Sequence, residues 1–425
     1  MELKNEKFVV GIFFENYLKG HTGVPKVMLA HQQMYQQAEF DYIGLFAAQK
    51  SLLGKTIVFR FGMIHNGKFA GIYSGKQLVA LFSKWCSHGA CLADIHIHHM
   101  LYIKQDHLRQ LLNAFPEVPV KIYLHDYYNA CCNLNLMRNG KEFCGGMGLD
   151  PAYCNSCKDY RRSVAKQKQL HQFYESILDR AIFVSPSQAT QTIFLRFHPE
   201  YENKVIVIAH QAQIGRYQGN LETLPAESPI RVAYLGMPVH HKGWETWKAL
   251  VNQAPKDAYL FKVYNSSDDT YPGMEKKKVM FSEEKLNAMI EALREDQMQV
   301  AILWSICAET YSYTTMEAYA ANTFLITNPK SGNIASAVKK FACGLVLESQ
   351  QELFDLFEQP ENVRRLVNAY RERTPGGPDT LEENKEIVAL TLANMVPTPK
   401  QEKPFPADLI SSFMTRLYLR GNPQL

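Results

Sequence analysis

Short apolar runs alternate with amphipathic helical stretches along most of the chain, and this alternation limits the possible folds more than any other feature. In the first half, the runs cover residues 8–14, 120–124, 181–184 and 204–208. In the second half, they cover residues 230–235, 258–263, 300–304 and 324–327. Helical stretches lie between the later runs at residues 244–252, 283–294 and 314–321. Near-continuous apolar strands separated by helices predict parallel β-sheets covered by helices on both faces.

The two series of strands indicate an α/β protein with two domains. Residues 218–228 contain glycine and proline, show little periodicity and form the best candidate for a linker. We therefore predict a first domain at residues 1–217 and a second at residues 229–395. A length of 425 residues with a hydrophobic fraction of 46% is enough to fill two ordinary cores.

Residues 396–425 form a tail that ends in a predicted amphipathic helix. Its apolar residues follow helical spacing, namely Leu409, Ile410, Phe413, Met414 and Leu417. The ordinary interpretation is a terminal helix that packs on the body of the protein. The alternative is a helix that contacts a membrane surface.

The charge balance and the apolar runs exclude several classes of protein. The chain has 46 Lys+Arg and 42 Asp+Glu, and a net charge of +4 is too mild for a dedicated nucleic-acid-binding protein. No apolar run approaches the ~20 residues that cross a bilayer, and the polar start does not read as a secretion signal. We expect a cytoplasmic protein, in which the nine cysteines are thiols or metal ligands.

Two glutamates follow the third strand of the second series, in the string ETYSYTTME. Glu309 comes soon after that strand, and Glu317 lies in the first turns of a helix for which Ser312 and Thr314 are candidate N-caps. Both carboxylates would lie at the carboxyl edge of the sheet, where open α/β sheets bind ligands. They can accept hydrogen bonds from sugar hydroxyls, and the helix amides can hold a phosphate. On spacing alone, solvated acids at a helix start are the more common explanation.

A loop with the sequence GMPVHHKGW follows the first strand of the second series. Lys242 in this loop can neutralise a diphosphate as a point charge, and Gly243 allows a close approach of the backbone at the helix start. An ordinary strand-to-helix turn with an exposed lysine has the same residues, so the loop alone does not decide the function.

Together, the loop and the acid pair resemble the retaining glycosyltransferases of the family numbered four, which have the GT-B fold. Three residues match the family's G-R-L-x-x-x-K-G loop, namely Gly236, Lys242 and Gly243. Glu309 and Glu317 match its E-x(7)-E pair, and residues 331–333 match its S-G-G segment in two of three places. In the first half, the strings HTGVPKVML, HDYYNACC and FVSPSQAT are similar to family segments. The resemblance covers about residues 8–350.

The resemblance implies two Rossmann-like domains that face a central cleft and a donor that is a nucleoside-diphosphate sugar. Lys242 would neutralise the departing diphosphate, Glu309 would hold the sugar and Glu317 the ribose. His125 would face the sugar from the first domain. The donor would also contact Gly23, Met237, Ser312, Tyr313 and Thr314. Transfer in this family retains the anomeric configuration and requires no divalent metal or other cofactor.

The implied acceptor is a glycan or a lipid-linked glycan, as in the synthesis of bacterial surface polysaccharides. Residues 158–168 carry five cations and one anion, and Val164, Leu170, Phe173 and Tyr174 supply apolar positions beside them. This stretch fits an anionic membrane surface, which would place the protein at the inner face of the cell membrane. A solvated helix face explains the same residues equally well.

The chain also departs from the family pattern. Met237 replaces the loop arginine, which removes one of two phosphate cations unless His240 or His241 compensates. Asn322 replaces a family glycine, and the usual Gly-x-Gly after the second strand is absent. These departures keep open a catalytically silent protein that binds a nucleotide or a glycan. A sugar-nucleotide epimerase on the same fold is a further alternative.

Two clusters of metal-ligand residues remain. Cys131, Cys144, Cys154 and Cys157 have a spacing that suits a structural zinc site in the first domain, and buried free thiols are the alternative. The string HIHH at residues 96–99 ends an apolar strand, and alternation places His96 and His98 on one face. We favour a position at the strand edge near the acceptor cleft over a metal site for these histidines.

Overall fold

The computed structural model describes residues 2–20, 22–52, 55–214, 224–225, 227–282, 285–373, 380–397 and 408–422. Most of the predicted linker at residues 218–228 lies outside these ranges, so the domain boundaries stay a prediction. Within the described ranges, none of the helices is both long and apolar enough to cross a membrane.

The strands of the described residues are β1 (Lys7–Phe13), β2 (Phe40–Leu52), β3 (Lys55–His65), β4 (Lys68–Tyr73), β5 (Cys91–Ile97), β6 (Val120–Tyr123), β7 (Met137–Arg138), β8 (Glu142–Phe143), β9 (Ala181–Ser185), β10 (Val205–Val207), β11 (Gln211–Ile214), β12 (Ile230–Leu235), β13 (Tyr259–Asn265), β14 (Glu275–Lys278), β15 (Val300–Ile302), β16 (Phe324–Thr327), β17 (Gly344–Val346) and β18 (Thr380–Glu383). The α-helices are α1 (Gly23–Gln37), α2 (Gly75–Ser87), α3 (Gln105–Ala114), α4 (Pro151–Cys154), α5 (Tyr160–Glu175), α6 (Gln188–Phe197), α7 (Trp244–Gln253), α8 (Ala288–Glu295), α9 (Tyr313–Ala320), α10 (Asn333–Phe341), α11 (Gln350–Glu358), α12 (Pro360–Arg373), α13 (Glu386–Asn394) and α14 (Leu409–Arg420).

Two large sheets organise the molecule, one in each half. The first has the order β10-β9-β6-β5-β1-β2-β3-β4, and the second has the order β14-β13-β12-β15-β16-β17. Every pair in the second sheet is parallel, and so are the pairs of the first sheet from β10 to β2. This arrangement confirms the predicted α/β fold class with a sheet in each half.

Helices cover both faces of the first sheet, which explains its near-continuous apolar strands. Along β1, Phe8, Val10 and Ile12 belong to the core on the side of α2 and α3. Val9 and Phe13 belong to the core on the side of α1. Because successive side chains of a strand point to opposite faces, a strand buried on both faces has an uninterrupted apolar run.

The first sheet continues past β2 as an antiparallel extension that the sequence analysis does not predict. Strand β3 pairs antiparallel with both β2 and β4. Asn66 and Gly67 join β3 to β4 with φ angles of 49° and 80°. An Asn-Gly pair with positive φ at both positions is the strongest local signal for a two-residue hairpin, so the sequence did contain a sign of this extension.

The segment after α12 returns to the first half of the chain. Strand β18 pairs antiparallel with β11, and α13 packs against the first sheet. The Thr391 hydroxyl donates to the Asp94 carboxylate (2.8 Å), and the Tyr35 hydroxyl donates to the Ile387 carbonyl (3.3 Å). Residues 386–394 therefore pack with the first half, although the predicted second domain runs to residue 395.

The terminal helix α14 packs on the β4 edge of the first sheet. The Ile72 amide donates to the Thr415 hydroxyl (2.8 Å), and Tyr418 stacks on Phe69 at 4.6 Å between ring centroids. This packing confirms the ordinary interpretation of the tail. The helix does not, however, turn its predicted apolar face toward the sheet. Four of the five predicted apolar residues face solvent, namely Leu409, Ile410, Phe413 and Leu417.

Candidate functional site

A cavity of about 310 Å³ is lined by residues from both halves of the chain. The first half contributes Thr22, Gly23 and Lys26 at the start of α1. The second half contributes the segments that follow the carboxyl ends of its strands. All seven predicted donor-binding residues line this cavity, namely Gly23, Met237, Lys242, Ser312, Tyr313, Thr314 and Glu317. Its volume lies within the range of small-molecule pockets, about 300–1,000 Å³.

The start of α9 forms one wall of the cavity. Ser312 is the N-cap, and its side chain accepts a hydrogen bond from the Thr315 amide (3.2 Å). Ser312 was therefore correctly predicted as a cap. The first turn of a helix has backbone amides without partners inside the helix and a partial positive charge, so this wall can hold an anionic group.

Lys26 and Glu317 form an ion pair across the cavity. The Lys26 Nζ lies 2.6 Å from the Glu317 Oε1, and the two side chains are only 4% and 6% exposed. The Lys26 Nζ also lies 4.7 Å from the centre of the Tyr313 ring. Burial and the charge of Glu317 raise the pKa of Glu383 to about 7, against an opposing effect of Lys26. A desolvated cation thus lies among acidic and aromatic groups at the junction of the two halves.

Lys242 and Glu309 form a second and more open pair. The Lys242 Nζ lies 3.5 Å from the Glu309 Oε1, and the lysine side chain is 39% exposed. The Ser305 hydroxyl donates to the same carboxylate oxygen at 3.3 Å. Lys242 lines the cavity, whereas the lining residues do not include Glu309. Glu309 therefore lies behind the lysine in this structure and holds its ammonium.

Two glycines shape the backbone around this pair. Gly332 has a φ of 64°, and a Cβ there would meet the Glu309 backbone at 2.8 Å. Gly243 has a φ of 77°, and a Cβ there would lie 2.0 Å from the Trp304 carbonyl oxygen. Because other residues avoid both the positive φ and the contact, these positions require glycine. The backbone of Gly243 lies close to Trp304, which follows the neighbouring strand β15.

His125 follows β6 and does not line the cavity. Its Nε2 lies 2.9 Å from the Nδ1 of His98, and its ring stacks on Tyr123 at 5.4 Å. Burial, with smaller effects of His210 and His99, holds the pKa of His125 well below its usual value. The Thr310 hydroxyl donates to the His125 carbonyl (2.5 Å), which ties this histidine to the residue after Glu309.

The loop histidines do not replace the missing arginine. His240 lies 3.0 Å from the Lys141 carbonyl through its Nε2, and neither His240 nor His241 lines the cavity. Burial lowers the pKa of His241, which favours its neutral form. In this structure neither ring lines the cavity, so the suggested compensation for Met237 finds no support here.

The membrane contact predicted for residues 158–168 and the apolar residues beside them is wrong in part. The Lys166 Nζ turns inward and donates to the carbonyls of Tyr128 (2.6 Å) and Cys131 (3.1 Å), and burial lowers its pKa to about 8. The apolar residues Leu170, Phe173 and Tyr174 are buried in the first core and cannot touch a membrane. The exposed members of the stretch are Lys158, Arg161, Arg162, Val164 and Lys168.

The four cysteines of the predicted zinc site line one small cavity, and all four are free thiols. Burial raises the pKa of Cys131, Cys144 and Cys154, which favours protonated thiols. Within the described ranges, the only group of three metal-ligand residues with atoms within 4.8 Å of one another is His31, His96 and His98. The thiols are thus neighbours without being gathered at ligand distances, and the zinc site at these cysteines stays a prediction.

Sequence reasoning missed several residues that line the cavity. Lys26 stands where the family loop T-G-V-P-R has its arginine, so its cationic character was the available signal. Asn265 ends β13 and Ser266 follows it, at the place where the family's Gly-x-Gly is absent. Phe281 carries no motif, and only the folded chain brings it to the cavity.

The comparisons with known proteins agree on the architecture. No family model matches the sequence, and no curated protein matches it. Among solved structures, sucrose-phosphate synthase from Thermosynechococcus elongatus is 15% identical, with a TM-score of 0.53 over 91% of this chain and 97% of that chain. HepE from Anabaena in complex with UDP and glucose is 12% identical, with a TM-score of 0.50 over 91% and 99%. TarM is 9% identical, with a TM-score of 0.51 over 87% and 94%.

These identities are low, so the likeness concerns the fold and not the activity. It extends over about nine-tenths of the chain and over nearly the full length of each solved structure. Two parallel sheets flanked by helices, with a cavity lined from both halves, agree with that likeness. The chain therefore has the GT-B fold, in which two Rossmann-like halves face a central cleft.

Proposed function

We propose that this protein is a glycosyltransferase that moves a sugar from a nucleoside-diphosphate sugar to a glycan or lipid-linked acceptor. The observation that supports the proposal most is the convergence of seven separately predicted donor-binding residues on one cavity. They come from the start of α1, the loop after β12 and the start of α9. These three segments are far apart in the sequence, and they meet at one cavity that both halves line.

Two lysines supply the positive charge for the donor diphosphate in this proposal. Lys242 and Lys26 both line the cavity, and they reach it from opposite halves. Lys26 is thus the second cation at the cavity in the absence of the loop arginine that Met237 replaces. A diphosphate that carries about two negative charges is stabilised by two ammonium groups and by the amides at the start of α9. These groups then stabilise the diphosphate both before and after its bond to the sugar breaks.

The two acids bind the hydroxyl groups of the donor. Glu317 lines the cavity at the start of α9 and accepts from the ribose, whereas Glu309 approaches the sugar once the diphosphate draws Lys242 forward. The acceptor oxygen attacks the anomeric carbon on the side of the leaving group, and the bond to the diphosphate oxygen breaks. The acceptor proton passes to that departing oxygen, so the configuration is retained and no protein nucleophile is required.

His125 acts as a neutral group in this proposal. Because burial holds its pKa well below the usual value, its imidazole can exchange hydrogen bonds with a sugar hydroxyl without carrying charge. It lies beside the residue that follows Glu309, since the Thr310 hydroxyl donates to its backbone. In this proposal, closure of the two halves on the donor brings His125 to the sugar.

A peripheral membrane position is the second part of the proposal. Helix α14 exposes Leu409, Ile410, Phe413 and Leu417, and Arg416 and Arg420 are exposed on the same helix. Apolar side chains with flanking arginines suit the surface of an anionic bilayer, where a lipid-linked acceptor would lie. In a flotation assay, Phe413→Ser should reduce binding to anionic vesicles, and no dependence on anionic lipid would contradict this part.

A panel of donors tests the catalytic proposal. Release of nucleoside diphosphate is measured with UDP-, GDP- and ADP-sugars, starting with UDP-glucose because HepE was solved with UDP and glucose. Release with at least one donor that is lost in Lys242→Ala supports the proposal. Donor binding without release would favour a catalytically silent protein, and interconversion of the donor sugar would favour an epimerase. The anomeric configuration of the product, read by NMR, tests retention separately.

A further inference from the structure

Three buried histidines meet in the core of the first half. His31 comes from α1, whereas His96 and His98 come from the end of β5. Each offers one ring nitrogen, and these three nitrogens lie within 4.8 Å of one another. Two nitrogens on one tetrahedral zinc ion are about 3.4 Å apart, so the rings would have to approach one another by roughly 1 Å to close the set around an ion.

The cluster differs from ordinary buried histidines because some of its polar atoms have no partner. The Nδ1 of His31 is buried without a hydrogen bond, although the residue is only 4% exposed. The Oδ1 of Asp94 is buried without a partner as well. Buried polar atoms are nearly always satisfied, so the unpartnered nitrogen of His31 points to a ligand that the cluster could bind.

Further contacts orient the rings as metal ligands are oriented elsewhere. The Nδ1 of His98 lies 2.9 Å from the Nε2 of His125, and its Nε2 lies 3.5 Å from the Tyr42 hydroxyl, a long contact that a metal ion would replace. The Nε2 of His96 lies 3.5 Å from the Oδ2 of Asp94, a carboxylate that also pairs with Lys121, and 3.3 Å from the Tyr35 hydroxyl. The Nδ1 of His96 lies 3.2 Å from the Tyr123 hydroxyl, so coordination through Nδ1 would replace that contact. A histidine held by a carboxylate through one nitrogen is the usual arrangement beside a bound metal.

We propose that His31, His96 and His98 form a binding site for a divalent transition-metal ion of the zinc class, with Asp94 as the neighbouring negative charge. Three imidazoles are the ligand set that zinc and similar borderline ions prefer.

A small cavity adjoins His31 at one side of the proposed site. It is lined by His31, Tyr123, His210 and Asn384, among others, and the last two are only partly buried. A bound ion would tie α1 to the end of β5. It would fix the helix that presents Gly23 and Lys26 to the cavity, and it would fix the ring of His98 against His125. The site is independent of whether the cavity binds a nucleotide sugar.

Zinc binding to the full-length protein tests this proposal. Protein freed of metal with a chelator is dialysed against Zn²⁺, and bound zinc is measured by elemental analysis. Because the cysteine cluster is a second candidate site, the reference protein is Cys154→Ser/Cys157→Ser. We expect it to hold one zinc per chain, His31→Gln in the same background to bind at least about tenfold more weakly, and the exposed control His88→Gln to match the reference.

Co²⁺ gives a second readout that needs no histidine variant. In the cysteine-substituted protein, visible ligand-field bands without a thiolate charge-transfer band would support a nitrogen-ligated site. Absence of those bands would overturn the proposal. Equal zinc binding by His31→Gln and the reference protein would overturn it as well.

Discussion

The Lys26 Nζ lies 2.6 Å from the Glu317 Oε1, and this contact joins α1 of the first half to α9 of the second across the candidate donor cavity. Both side chains are almost fully buried, so neither charge is solvated in the absence of the other. In the proposed mechanism, an incoming diphosphate competes with Glu317 for Lys26. Donor binding would then release the carboxylate for the ribose, which couples recognition of the two donor groups.

Replacing Lys26 with methionine should weaken donor binding and destabilise the protein. A lost charge-assisted hydrogen bond is worth about 1.5–3 kcal/mol, which corresponds to roughly 10- to 150-fold in the dissociation constant. The buried Glu317 carboxylate loses its partner, which costs about 3–5 kcal/mol of unfolding free energy. Isothermal titration with donor and chemical denaturation measure the two effects.

The double variant Lys26→Met/Glu317→Gln separates these two effects. It contains no uncompensated buried charge, so it should be more stable than Lys26→Met alone while donor binding stays weak. Donor affinity of folded Lys26→Met equal to that of the wild type would show that Lys26 has no role in binding.

Lys242→Ala should lower turnover by roughly 100-fold or more, because the departing diphosphate loses a positioned cation. Its side chain is 39% exposed, so its pair with Glu309 contributes little to folding and the unfolding free energy should change by less than about 1 kcal/mol. Lys248→Ala is the matched control, since Lys248 is similarly exposed and pairs with Glu245 at 2.8 Å outside the cavity. The control should have wild-type kinetics.

Glu309→Gln should remove most activity while the melting temperature stays close to that of the wild type. Glutamine keeps the shape and can still accept the hydrogen bond from Ser305, but it cannot hold sugar hydroxyls or Lys242 with a full charge. Steady-state kinetics and thermal unfolding measure the two properties. A large fall in melting temperature with intact activity would identify Glu309 as a structural residue.

Met237→Arg should restore the arginine of the family loop and tighten donor binding. Met237 lines the cavity and is 44% exposed, so a longer cationic side chain has room there. We expect a gain of about 1–2 kcal/mol, or roughly five- to thirtyfold in the dissociation constant for the donor. The gain should be larger in the Lys26→Met background, where the arginine is the replacement cation. No gain in either background would argue against a diphosphate at this position.

Glu383 should make the protein less stable as the pH rises toward neutrality. Its folded pKa of about 7 exceeds the usual 4.5, so the folded state holds this proton more tightly than the unfolded state does. The stabilisation is complete below about pH 4.5 and is lost as the pH rises through 7. Glu383→Gln should therefore raise the melting temperature at pH 8 relative to the wild type and have little effect at pH 4.5. Equal melting curves at pH 8 would show that Glu383 ionises freely.

The buried parallel strands could be predicted because their apolar runs need no knowledge of the rest of the chain. Strands β12 and β16 have the predicted bounds, Ile230–Leu235 and Phe324–Thr327. The antiparallel extension was missed although residues 56–64 form a mostly apolar run that ends just before a turn, because the fold prediction rests on the alternation of strands with helices and β2, β3 and β4 follow one another without a helix. The Asn66–Gly67 turn was the available signal.

Residues of the candidate site could be predicted from the sequence only where they belong to a local motif. Glu317 and Lys242 follow strands of one half, so their nearness to a sheet edge follows from strand and helix order. The contact between Lys26 and Glu317 joins positions 291 apart, and no local pattern specifies it. The outward orientation of Phe413 and Leu417 on α14 depends likewise on which face of the helix meets β4.

Release of nucleoside diphosphate by the wild type, Lys242→Ala and Lys248→Ala, measured side by side with one panel of nucleotide sugars, tests the central claim most directly. The account predicts acceptor-dependent release by the wild type and Lys248→Ala with at least one donor, and a loss of roughly 100-fold or more in Lys242→Ala. Release by Lys242→Ala at the wild-type rate, or no release and no binding by the wild type with any donor, would contradict it.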